Sequence, residues 1–142
     1  MFESVIQATE NFCIHQIRSS HTIQSQISRE DMLISSIDTN NLSGVRNRIY
    51  LAMDKNLVQK ISTIFLEEEK SDDETLQDML LETTNLIVGS AKVIAQDDNS
   101  IAFDIETPFF IKNNFFDIEY DNAKNIKIED SNMVIAIKEL GK

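Results

Sequence analysis

Cysteine and proline each occur once in this chain, glycine three times and tryptophan not at all. The lone Cys13 excludes an intramolecular disulfide and leaves no cysteine-based zinc site to assemble. Three glycines are too few for the Gly-rich loops that cradle phosphates, and no Walker-type loop, dinucleotide fingerprint or EF-hand spacing occurs. Basic residues are scarce as well: 13 Lys and Arg stand against 24 Asp and Glu, a net charge of -11. Nucleic acids bind through cations that displace counterions, so this balance speaks against nucleic acid and anionic membranes as partners. It favours partners with a basic patch, or simply a soluble cytosolic life, and charge alone does not choose between them. No apolar run approaches the about 20 residues that span a bilayer. The opening Met1-Phe2-Glu3-Ser4 lacks the basic start and apolar run of a signal peptide. A cytoplasmic, reduced protein is the expectation.

Apolar residues make up 42% of the 142 residues, enough for a globular core, and one domain over residues 1–142 is expected. Phe2, Val5, Ile6, Phe12, Cys13 and Ile17 recur at helical spacing over residues 2–17. Residues 19–30 form a polar connection with room for a short strand, and residues 32–37 form a strand. A turn by composition, Asn40-Asn41-Leu42-Ser43-Gly44, leads into a half-buried strand in which Val45, Ile49, Leu51 and Met53 alternate with Arg46, Arg48 and Tyr50. Asp54 is placed to cap a second helix carrying Leu57, Val58, Ile61, Ile64 and Phe65. Ser71 with Glu74 resembles a capping box that opens a long third helix over residues 74–96, ended by Asp97-Asp98-Asn99. Thereafter the period shortens to two. Ile101, Phe103 and Ile105 alternate with Ala102, Asp104 and Glu106, and strand-like runs surround Phe110, residues 116–120, 126–128 and 133–137. This order predicts an α+β fold, an antiparallel-rich sheet with helices packed on it.

On a helical wheel the third helix gathers Leu76, Leu80, Ile87, Ala91 and Ile94 on a core face, flanked by Met79, Val88 and Ala95. The opposite stripe is Asp78, Glu82, Asn85, Gly89, Lys92 and Gln96. A glycine in mid-helix costs about 1 kcal/mol relative to Ala. On a polar stripe it has two readings, a tolerated residue or a place where a partner surface comes near the backbone. Glu82 and Asn85, three apart, point the same way.

The run Asp78-Met79-Leu80-Leu81-Glu82-Thr83-Thr84-Asn85, with Pro108 after twenty-two intervening residues, resembles the signature of the CheC/CheX/FliY phosphatase family. That signature is Asp or Ser, three residues, Glu, two residues, Asn, twenty-two residues, Pro. The spacing from Asn85 to Gly89 is similar to the family's helix. The full run occurs once, which looks like CheX rather than two-site CheC. A glycine often found soon after the proline's strand is missing here.

The resemblance implies a phosphatase acting on a phosphorylated CheY-type receiver domain in bacterial chemotaxis. An aspartyl phosphate and its Mg2+ sit in the receiver's own pocket, so no cofactor or metal belongs to this chain. Asn85 would position the attacking water, because an amide offers donors and an acceptor and does not titrate. Glu82 would dock the receiver's lysine. Asp78 has two readings, partner recognition or a carboxylate complementing the helix dipole. Gly89 would admit the partner, and Pro108 is structural. A homodimer joined edge to edge through the sheet is implied by the resemblance alone. The alternatives are a catalytically inactive adaptor of the same fold, binding a receiver domain or flagellar-switch component, and an unrelated interaction domain. His15 and His21 lack any partner pattern for a metal site or a triad. Phe109, Phe110, Phe115 and Phe116 are core-filling by default or an exposed patch.

Overall fold

The computed structural model describes residues 1–97 and 102–141. Helix α1 (Phe2–Phe12) buries Val5, Ala8 and Phe12 and runs on into a π-helical turn, Cys13–Ile17, which ends at the left-handed Arg18. After it come β1 (His21–Gln24), β2 (Asp31–Asn41), β3 (Arg46–Met53), α2 (Lys55–Leu66), α3 (Asp73–Asp97), β4 (Phe103–Ile105), β5 (Phe109–Phe115), β6 (Asn122–Ile128) and β7 (Ser131–Gly141). The strands form one antiparallel sheet in the order β1-β6-β7-β3-β2-β4, with β5 also paired to β2. The fold class is the expected α+β one.

Two local devices set the geometry. Asn41 accepts bonds from the amides of Ser43 (3.0 Å) and Val45 (2.9 Å), and Gly44 at φ +84 closes the β2–β3 hairpin in a conformation that favours glycine. Asp54 caps α2 as its position predicts, accepting from the Leu57 amide at 2.8 Å. Its other oxygen accepts from the Asn132 amide at 2.6 Å, tying the start of α2 to β7.

The helices pack on one face of the sheet. Leu33, Ile37, Ile49, Leu51, Met53, Met133 and Ile135 point toward Val5, Leu57, Ile61, Leu76, Leu80 and Ile87. Burying a side chain of this size contributes roughly 1.5–3 kcal/mol, so this layer dominates the fold's stability.

Three sequence expectations are corrected. Strand β3 is not half-buried along its length. Tyr50 and Ala52 are buried too, because Met32, Ile34, Ala52 and Val134 form a second cluster on the other face, covered by Ile27, Phe116 and Ile118. Residues 116–120 are for the same reason not a strand: their apolar side chains cross that face instead of pairing along an edge. Ser71 does not open α3. Its hydroxyl lies 2.6 Å from that of Ser62 and donates to Glu68 at 2.9 Å, while Asp72 accepts from the Thr75 amide at 2.8 Å and takes the capping role. Asp98 and Asn99, expected to end α3, and Ile101, expected in the following strand, lie outside the described residues.

Candidate functional site

The rotation of α3 about its axis decides which side chains meet solvent. Leu76, Met79, Leu80, Ile87, Val88, Ala91 and Ala95 are buried, and so are Thr83 and Thr84, which apolar periodicity alone passes over; Ile94 is half-buried. The Thr84 hydroxyl shares a 2.7 Å hydrogen bond with that of Ser35 on β2. Thr84 also donates to the Leu80 carbonyl (2.8 Å) and Ser35 to that of Leu51 (3.1 Å), so two protons serve three contacts. This polar link holds the middle of α3 to the sheet. Asn85, one residue further on and about 100° round the helix from Thr84, is exposed.

Asp78, Glu82 and Asn85 are all exposed, on one stripe. Among the described residues, neither Glu82 nor Asn85 makes a hydrogen bond or ion pair through its side chain. Both are free to engage another molecule. Gly89 continues the stripe, and a Cβ added there would meet nothing within 4 Å, so no packing among the described residues requires the glycine. Further along, Lys92 is held by Asp104 of β4 at 3.1 Å.

Asp78, Glu82 and Asn85 form one wall of an open groove of about 520 Å³, and Glu106, Thr107 and Pro108 form the other. The second wall exists because the strand beside β2 is broken. Strand β4 pairs with Thr39–Asn41 and β5 with residues 31–36, and the residues between the two strands bridge the gap. Glu106 anchors the bridge: its amide donates to the Asp38 carbonyl at 2.9 Å, and its carboxylate accepts from Asn40 at 2.8 Å. Pro108 precedes β5 immediately, where a missing N–H costs the ladder nothing. The structure thus brings Pro108 to the same groove as the α3 carboxylates and amide. Glu106 and Thr107 carried no sequence signal, since polar residues in a connection are unremarkable by type.

Below the bridge, Asp38 accepts from Arg48 (2.7 and 3.1 Å) and Arg46 (2.9 Å). The Arg48 hydrogen bonds hold its carboxyl below the usual carboxylate range, against the opposing effect of burial. Cys13 is buried, and burial with the nearby Glu10 charge pushes its thiol up to about 11. It is no nucleophile at neutral pH. His15 and His21 stand outside the groove; His21 lies 3.5 Å from Glu10. The four phenylalanines divide: Phe110 packs on the main core and Phe116 on the second cluster, while Phe109 and Phe115 are exposed. Among the described residues, no three His, Cys, Asp or Glu side chains gather as a metal site. No described helix is long and apolar enough to cross a membrane.

A carboxylate and an amide one turn apart, both projecting, can bind a cation and a water on a partner surface at once.

The sequence profile of the family described as chemotaxis phosphatase CheX matches residues 40–129. No curated protein sequence matches the chain. Among solved structures, it is similar to chemotaxis protein CheX from Vibrio vulnificus, with 21% identity, 96% of this chain and 94% of that one covered, and a TM-score of 0.82. It is also similar to the CheX–CheY–BeF3–Mg2+ complex from Borrelia burgdorferi (18% identity, 96% of each chain, TM-score 0.68). A third similar structure is FliY from Thermotoga maritima (19%, 96% of this chain and 84% of that one, TM-score 0.61). At these identities the structural likeness establishes the fold.

Proposed function

This chain belongs to the chemotaxis phosphatase CheX family, and from that premise we propose that it dephosphorylates a CheY-type receiver domain in the cytoplasm. The observation that carries the reading is the exposed pair Glu82 and Asn85, unpartnered among the described residues, on one face of α3 at the rim of the groove that Pro108 lines. The exposed stripe enters the receiver's phosphorylation pocket. There Glu82 pairs with the lysine beside the phosphoryl group, and Asn85 holds a water in line with the bond that breaks.

The water oxygen bonds to phosphorus, the phosphorus–oxygen bond to the aspartyl carboxylate breaks, and the products are a free aspartate and inorganic phosphate. An amide cannot take the proton, so it leaves with phosphate or to solvent. The receiver's own Mg2+ neutralises the phosphoryl oxygens, and this chain supplies position rather than a cofactor. Asp78 assists recognition one turn earlier on the stripe.

The same family membership supports a homodimer joined through a sheet edge. Among the described residues, strand β5 pairs only with β2, and it carries the exposed Phe109, Ile111 and Phe115.

Phosphate release from a phosphorylated CheY-type receiver tests the enzyme reading. The protein should accelerate it, and Asn85→Ala should lower kcat on the order of 100-fold, about 2.7 kcal/mol of transition-state stabilisation. Asn85 is exposed and, among the described residues, without a bond partner, so the variant should melt no earlier than the parent. An adaptor that binds the receiver yet leaves the acyl-phosphate lifetime unchanged would refute the enzyme reading.

A further inference from the structure

A second groove, of about 530 Å³, runs along the other flank of α3. Its walls include Phe65 at the end of α2, Leu86 and Val93 of α3, and Phe12 and His15 from α1 and the π-helical turn. None of its lining residues is Asp, Glu, Lys or Arg, in a chain where 26% of residues are charged. Leu86 is 42% exposed, Val93 54% and Phe65 39%. The ring of Phe65 rests against that of Phe12, with centroids 6.2 Å apart, so the apolar floor is part of the fold. Soluble surfaces seldom keep large apolar side chains together in water without a use for them.

We propose that this groove is the second half of the docking surface for the receiver domain, and that Phe65, Leu86 and Val93 take an apolar patch of that same molecule. The proposal rests on the reading of Asn85 given above, because Leu86 is its immediate neighbour and Val93 lies on the adjacent stripe two turns further. A reacting centre within about 3 Å of Asn85 brings the body of the partner over Leu86 as well. A stable protein–protein contact covers roughly 800 Å² on each side, more than one polar helix stripe supplies. Gly89, on the polar stripe at a level between Leu86 and Val93, adds no side chain there, so one surface can lie across stripe and groove together. The acidic side then sets orientation and the apolar side supplies affinity. A second copy of this chain seated in the groove would stand beside Asn85 and bar the partner.

Val93 is the residue to test, since it lies eight positions from Asn85, about 12 Å along the helix axis. The probe is a CheY-type receiver domain loaded with BeF3− and Mg2+, titrated with the parent protein, Val93→Asp and Val93→Ser, each checked for folding by circular dichroism. Hydrolysis of the phosphorylated receiver is followed in parallel. Affinity should fall, and KM rise, about tenfold or more for Val93→Asp and less for Val93→Ser, with kcat within twofold of the parent. Asn85→Ala should show the opposite split. Unchanged affinity in both Val93 variants overturns the proposal, as does failure of the parent protein to bind the loaded receiver. Conversion of a dimer to a monomer by Val93→Asp, read by sedimentation, also overturns it, making the groove a contact between copies. Tight, Val93-dependent binding without hydrolysis upholds the docking surface and refutes only the enzyme reading.

Discussion

Replacing Gly89 by alanine separates the two meanings of a glycine in the middle of a helix. Position 89 lies well inside α3, its backbone is not left-handed, and an added Cβ would meet no atom within 4 Å. The whole difference in helix propensity should therefore appear as stability, about 0.8–1 kcal/mol. For a chain of this length that raises Tm by about 3 °C, or moves the urea midpoint upward with an unchanged slope. If the glycine is there so that a partner can approach the helix backbone, the same methyl group intrudes on the docked surface. Overpacking of a close contact costs about 1–3 kcal/mol, a weakening of receiver binding of at least about fivefold. The assay is paired: urea denaturation of the protein alone, and KM for the phosphorylated receiver. Gly89→Ala should be the more stable protein and the poorer binder. A variant no more stable than the parent would refute the open-space argument. A stabilised variant with unchanged KM would refute the recognition role and leave Gly89 a tolerated helix residue.

Other expectations concern the scaffold that presents the site. Thr84→Val removes the 2.7 Å link to Ser35, but Ser35 keeps its bond to the Leu51 carbonyl, so the loss in urea stability should stay near 1 kcal/mol. Adding Ser35→Ala should then cost less than the two single losses summed, which a double-mutant cycle reads directly. Asp38 has a folded-state carboxyl depressed mainly by Arg48, so its contribution is present above the unfolded pKa and is lost as pH falls through the folded one. The stability gap between the parent and Asp38→Asn, measured by urea melts, should be widest near neutrality and close below about pH 4. Cys13, with its thiol near 11, should resist a thiol reagent at pH 8 in the native protein and react promptly once denatured.

Much of α3 was legible because helix periodicity is a local property. Asp78, Glu82, Asn85 and Gly89 fall on one stripe by angle alone, and burial of Leu76, Leu80, Ile87 and Ala91 opposite them follows from the same count. The cap at Asp54 was legible for the same reason, since its hydrogen bond spans three residues. The start of α3 was not, because Ser71 and Asp72 are both competent caps. The choice fell to Asp72 once the Ser71 hydroxyl was taken up by Ser62 and Glu68 across the α2–α3 connection.

Residue order by itself determined the α+β class and the exposed pair Glu82 and Asn85, because secondary-structure period and side-chain direction depend only on near neighbours. Tertiary structure alone decided that Glu106, Thr107 and Pro108 close a groove against that pair, that Tyr50 and Ala52 are buried on the second face of the sheet, and that residues 116–120 cover a face rather than extend an edge. Those outcomes depend on which segments meet after the chain has crossed the sheet. No spacing in the sequence encodes such a meeting, since the free energy that selects it belongs to surfaces brought together only in the folded state.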